Sequence, residues 1–260
     1  MSLRKHDFRE NGDKIDYILT IADNSLILGQ RMGELTGHGP TLEVDIACTN
    51  IALDLFGQVR SYFQYAAQLA EKSCTEDDLA FLRTEREYKN VLLVEQPNTN
   101  FAYVIAKQFL FDHYHFLFLN ELQNSNDATL SAIAKKSIKE VSYHKRFSSD
   151  WVLRLGDGTS VSKEKIQKAI NDLWPFTQEL FEPNEPEEKA IDLGYGVDIA
   201  KLQEEYKQAV EKVLIEATLE ELPVLEFYQR GGKKGIHSEH MGYLLSDMQY
   251  MQRTYPGMKW

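Results

Sequence analysis

Four stretches of this chain carry apolar residues at helical spacing for more than twenty positions each, and clean period-two alternation is hard to find anywhere. A strand-based fold is thereby excluded. Helices of that length bury an apolar face only by packing side by side, so the pattern predicts an all-α chain built on a long four-helix bundle.

The first helix is expected from about Lys14 to Leu35, ending at "TGHGP", where Gly37, Gly39 and Pro40 break it. Thr41 opens the second, which runs to about Lys72. A short helix near Thr75 to Arg83 and an irregular link ending in "EQPNTN" precede the third, capped by Asn98 or Asn100 and continuing through Leu122. The fourth spans about Asp127 to Leu155 and closes at "GDG". Lengths near 30 residues are almost three times those of an average globular helix, which favours a large ferritin-like bundle.

Beyond it, helices are expected from Ser160 or Ser162 to Phe181, from Asp198 to Thr218 and from His237 to Arg253, with the acidic link "EPNEPEEKAIDLGYG" between the first two. The chain thus reads as a single domain, residues 1–260, with a core bundle over about 14–157 and a C-terminal helical extension over about 158–260.

The composition, 43% hydrophobic and 27% charged, suits a globular protein with a sizeable core. No stretch approaches the roughly 20 apolar residues that span a bilayer, and "MSLRKHDFRENGDK" lacks the apolar run of a secretory signal, so a cytoplasmic location is expected. Two cysteines, Cys48 and Cys74, provide neither a disulfide framework nor a CxxC clip. A net charge of -11 argues against a nucleic-acid or anionic-membrane partner and suits a basic protein partner better.

Each long helix also carries a polar row. The first offers Asp23, Gln30 and Glu34; the second Asn50, Asp54 and Gln58; the third Gln108, Asp112 and His115; the fourth Glu140 and His144. Di-iron bundles place a Glu on each of two helices and a Glu-x-x-His pair on each of the other two, because positions i and i+3 share a face. Here the register is degraded. Gly57 stands three after Asp54 and Tyr143 three after Glu140, while His144 stands at i+4 and Asp112 to His115 lacks a matching pair. The rows are therefore expected to hydrogen-bond to one another without metal.

The blocks "GHGPTLEVDIACTNIALDLFGQVRSYFQYAAQLA", "LLVEQPNTNFAYVIAKQFLFD", "SIKEVSYHKRFSSDWVLRLGDGT" and "GGKKGIHSEHMGYLLSDMQYMQRTYPGMKW" resemble the C-subunit family of the bacterial ring-1,2-phenylacetyl-CoA epoxidases, over about Ile15 to Trp260. The resemblance implies a ferritin-like structural subunit without iron ligands, paired with a homologous catalytic A subunit that holds the di-iron centre and binds the CoA thioester. The resemblance further implies a complex that epoxidises the aromatic ring with dioxygen and NADPH-derived electrons. On that implication no catalytic residue and no cofactor belong to this chain, and self-association when alone is left open.

In the tail, Lys233 and Lys234 among Gly231, Gly232 and Gly235 are candidates for contact with an anion or an acidic partner face, or else a solvated turn. His237 and His240 are expected to cap or pack the last helix, and Trp260 to dock against the bundle or partner. The run "FLFDHYHFLFL" has aromatics on every face of its helix, as in a buried core. Two rival functions remain open: a self-contained metal-dependent oxygenase using Asp54, Asp112, Glu140 and His144, and a small-molecule-binding bundle around the aromatic third helix.

Overall fold

The long apolar runs become helices, and three of the four open on a side chain that caps the first free backbone N–H groups. A computed structural model of the chain describes residues 11–70 and 74–258. Helix α1 spans Gly12–Gly33, and Thr41 caps α2, Leu42–Leu69. The short α3 covers Glu76–Phe81 and is opened by a reciprocal cap between Thr75 and Asp78. One turn, α4, Leu92–Glu95, precedes α5, Phe101–Leu122. The side chain of Asn100 accepts from the N–H groups of Ala102 and Tyr103, which decides between the two candidate caps. Asp127 likewise caps α6, Ala128–Gly156. The end expected near Lys72 and the docking expected of Trp260 lie outside the described residues.

The bundle is layered. Helix α1 packs along α2, α5 packs along α6, and α2 touches α6. The extension then covers the other side: α7 (Ser160–Leu173) lies on α5 and α6, α8 (Glu185–Asp192) on α1, α9 (Gln203–Glu216) on α5 and α6, and α10 (Glu239–Thr254) on α3. Helices α1 and α5 are consequently buried around almost their whole circumference. By contrast α2 buries one stripe, Val44, Cys48, Ile51, Leu55, Val59, Tyr62 and Ala66, at the spacing of three or four that sequence periodicity required. All regular structure among the described residues is helical.

The extension departs from expectation in two places. The helix expected to reach Phe181 stops at Leu173 and continues as tight turns, because Pro175 has no N–H to donate to the preceding turn. The acidic stretch expected as a link contains α8, started by a reciprocal cap between Asn184 and Glu187 with Pro186 in its first turn.

The chain returns to the bundle through "QRGGKKG". Gly231 and Gly235 adopt positive φ, at 141° and 73°, and Gly232 lies so close to α4 that a Cβ there would stand 2.2 Å from the Asn90 carbonyl oxygen. Gly232→Ala is expected to cost about 1–3 kcal/mol through this overlap. Thermal unfolding should shift down by several degrees, and protease should cut sooner within residues 219–236; an unchanged melting temperature and digest would show that this turn is not docked.

Candidate functional site

The polar rows of α2, α5 and α6 meet inside the bundle, and those of α1 do not join them. Helix α6 sets Glu140 and His144 one turn apart; α2, running antiparallel, sets Gln58 and Asp54 opposite them. His144 Nε2 lies 3.0 Å from Asp54 Oδ2, and Gln58 Nε2 donates to Glu140 Oε2 at 3.0 Å. A carboxylate oxygen accepts only, so His144 carries a hydrogen on Nε2. The two pairs are rungs between helices, and each rung engages one of the Glu140 and His144 side chains.

Helical geometry explains why the i+3 offset fails here. Gly57 and Tyr143 are both exposed, and nothing lies within 4 Å of a Cβ built on Gly57. Their side of α2 and α6 faces away from the interior, whereas the i+4 positions, Gln58 and His144, face into it.

Deeper in, Asp112 is fully buried on α5, accepting from Gln108 Nε2 at 2.5 Å and from Ser148 Oγ of α6 at 2.8 Å. Burial pushes its carboxyl up to about 7, with His144 opposing the shift. His115, one turn further on, packs its ring 5.2 Å from that of Phe111; burial drives its pKa down to about 3, which keeps it neutral. His113 is held near the same value by burial and by Lys145, with Nε2 3.1 Å from Ser149 Oγ.

Asp23 of α1 is taken elsewhere. The Arg83 guanidinium grips both its oxygens, through Nη1 at 2.9 Å and Nη2, and the Lys89 N–H adds a third donor at 2.8 Å. Gln30 is half-buried near the end of α1, Glu34 pairs with Arg31 at 2.7 Å beyond it, and Asn50 is exposed.

In the tail, Lys233 is only 6% exposed, and its Nζ lies 3.0 Å from both Glu187 oxygens and from the Glu182 carbonyl. Its charge is spent inside the chain, which leaves Lys234 as the exposed member of the pair. His237 lies between two acceptors, Glu95 Oε1 at 2.5 Å and the Tyr88 carbonyl at 3.1 Å, so both ring nitrogens donate. Burial alone would lower its pKa, but Glu95 overrides that and raises it. His240 is half-buried in the first turn of α10.

Several working residues gave no sequence signal. Glu95 is completely buried and also accepts from Asn90, the Ser238 N–H and the Ser238 hydroxyl. Glu179 accepts from the backbone N–H groups of Leu92, Gly231 and Lys233. Lys107, fully buried, donates to the Gln96 carbonyl at 2.6 Å and to Asn98 Oδ1 at 2.8 Å; burial, then Arg31, lowers its pKa to about 7. The aromatic run of α5 is packed ring against ring, Tyr114 with Phe118 and Phe181, beside a void of about 10 Å³.

Four carboxylates and two imidazoles have to converge on a di-iron centre. Where α2, α5 and α6 meet, the fully buried carboxylate is Asp112, beside His144, with amides at Gln58 and Gln108, while the equally buried Asp23 is bound to Arg83. Among the described residues no three His, Cys, Asp or Glu side chains gather as a metal site. The residues present do not fit a di-iron centre.

Layering and interior together define a class: a ferritin-like helical bundle whose inward polar side chains pair between helices at Asp54 and His144, Gln58 and Glu140, and Asp112 and Ser148, while Gln108 Oε1, His115 Nδ1 and His144 Nδ1 keep no partner among the described residues. The chain belongs to the family described as phenylacetic acid catabolic protein, whose model matches residues 4–260. The C subunit of the 1,2-phenylacetyl-CoA epoxidase of Escherichia coli (strain K12) is 49% identical to it over 244 residues, covering 94% of this chain and 98% of that protein.

Two outcomes are expected of the interior. Arg83→Met strands the Asp23 carboxylate in the core and should cost about 3–5 kcal/mol in urea unfolding. Adding Asp23→Asn should recover part of that loss, and a single variant as stable as the parent would show the pair to be idle. Asp112 has a raised folded pKa, so its contribution to stability is complete below its ordinary value of 3.8 and is lost as pH rises through about 7. Asp112→Asn should therefore flatten the decline in urea midpoint between pH 4 and 8; an identical pH profile in the variant would refute the assignment.

Proposed function

We propose that this chain is the non-catalytic structural subunit of a multicomponent oxygenase that epoxidises the ring of phenylacetyl-CoA in phenylacetate catabolism. In this reading it stabilises a catalytic A subunit, which carries the di-iron centre and binds the substrate, and it works in the cytoplasm. The name of the E. coli relative supplies the reaction and the fact of a subunit assembly. The observation that carries the structural role is the pair of rungs Asp54 to His144 and Gln58 to Glu140, which commits the candidate ligands of α2 and α6 to each other. No helix among the described residues is long and apolar enough to cross a membrane.

A subunit of this kind acts on rate only indirectly. Burying a large helical interface holds the partner folded and its site positioned, and binding energy is converted into stability of the bound state. The chain purified alone without chelator is expected to contain no stoichiometric iron by metal analysis and to consume no dioxygen with phenylacetyl-CoA. Combination with the catalytic subunit and reductase should restore turnover. Stoichiometric iron in the isolated chain, lost on His144→Ala, would reverse the reading in favour of a self-contained oxygenase.

A further inference from the structure

Helices α2 and α6 form an outer layer that the extension leaves open on one side. Along that side α2 exposes Leu42, Ile46 and Leu53, at 72%, 51% and 60%. These residues, four and seven apart, fall on one stripe within three helical turns. Across the seam marked by the Asp54 to His144 rung, α6 exposes Tyr143 at 40%. Gly57 keeps the seam low, since nothing stands above its Cα within reach of a Cβ. Isolated surface leucines need no explanation, but three apolar side chains on one stripe of a helix beside an exposed tyrosine of its neighbour do.

We propose that this α2/α6 face is the surface on which the catalytic subunit docks, by a helical face whose apolar centre is rimmed with carboxylates. The proposal rests on the structural-subunit reading above and adds to it the surface and its charge. Size is the first support. Helix α2 has 28 residues and α6 has 29, about 42 Å at 1.5 Å per residue. Two such helices side by side, about 10 Å apart, present roughly 800 Å², the usual share of one partner in a stable interface.

Charge is the second support, and it selects the occupant. The chain is at -11 overall, yet α6 carries six lysines and arginines against Glu140 and Asp150, with Lys136, Lys139 and Arg146 exposed. Helix α2 carries three carboxylates and Arg60, so the two helices together are net positive. A second copy would bring two net-positive faces together under the repulsion of -11 on each chain. A partner face bearing carboxylates complements the local positive charge of this one and is steered onto it.

The test uses the full chain co-expressed with the catalytic subunit from the same source. Ile46→Asp, Leu53→Asp and the double variant are compared with Phe227→Asp, a residue 83% exposed in the segment between α9 and α10. Complex mass is read by light scattering after size exclusion, affinity by calorimetry, and folding by the melting temperature of each chain alone. The front-face variants are expected to keep their melting temperature and lose affinity by about 100-fold or more, while Phe227→Asp binds as the parent does. Lys136→Glu with Lys139→Glu should slow association about tenfold at low salt, with the difference shrinking as salt is added. Front-face variants that bind like the parent overturn the surface and leave the structural-subunit reading standing. A parent chain that forms no complex overturns both. A parent that is a dimer by itself and is dispersed by Leu53→Asp assigns the face to a second copy, which also overturns the proposal.

Discussion

Helices α1 and α5 have almost no side that faces water, and this constraint governs the rest of the molecule. A polar group left unpaired in such a position costs about 1–3 kcal/mol, so most of those on these helices find a partner within the fold, Ser25 Oγ, Gln108 Oε1 and His115 Nδ1 being exceptions among the described residues. The partners come from the irregular parts of the chain. Asp23 is satisfied by Arg83 and the Lys89 N–H, Asn24 by the Val91 N–H, and Lys107 by Gln96 and Asn98. The residues between α3 and α5 are thus a polar strap fitted to two buried helices, which explains how so irregular a segment stays largely buried over residues 88–96. The C-terminal turn repeats the device: Glu95 and Glu179 gather backbone and side-chain donors from residues 231–238, and Lys233 answers Glu187.

The architecture was legible in the sequence because it depends on periodicity and capping. Thr41, Asn100 and Asp127 stand at helix starts as side chains that accept from free N–H groups, and the buried stripe of α2 follows its apolar spacing. What was hidden depends on pairing across distance. Arg83 closes on Asp23 across 60 positions, and Glu95 on His237 across 142, and no local pattern marks either. Lys233 illustrates the same limit. Two lysines among glycines suggest a solvated anion contact, yet the partner, Glu187, sits 46 residues away on a helix that its proline and acidic residues disguised as a link. The degraded offset at Gly57 and Tyr143 was visible in the sequence, but its direction was not: these positions face solvent, and the inward ones are Gln58 and His144.

The interior rungs and the outer face are two consequences of one register. Hydrophobic packing between α2 and α6 tolerates sliding, because one apolar side chain replaces another at modest cost. A hydrogen-bonded pair between helices does not slide, since displacement by one turn, about 5.4 Å, separates both members from their partners. Asp54 to His144 and Gln58 to Glu140 therefore fix which residues of α2 stand opposite which residues of α6. The same alignment sets Leu53 and Gly57 beside Tyr143 on the exposed side, with Lys136 and Lys139 along the rim. Polar side chains that would be poor metal ligands in this arrangement are well suited to holding two helices in register, and a rigid, registered pair of helices is what a large docking surface requires. Inward chemistry and outward shape in this chain are in that sense a single property, set by four side chains on two helices.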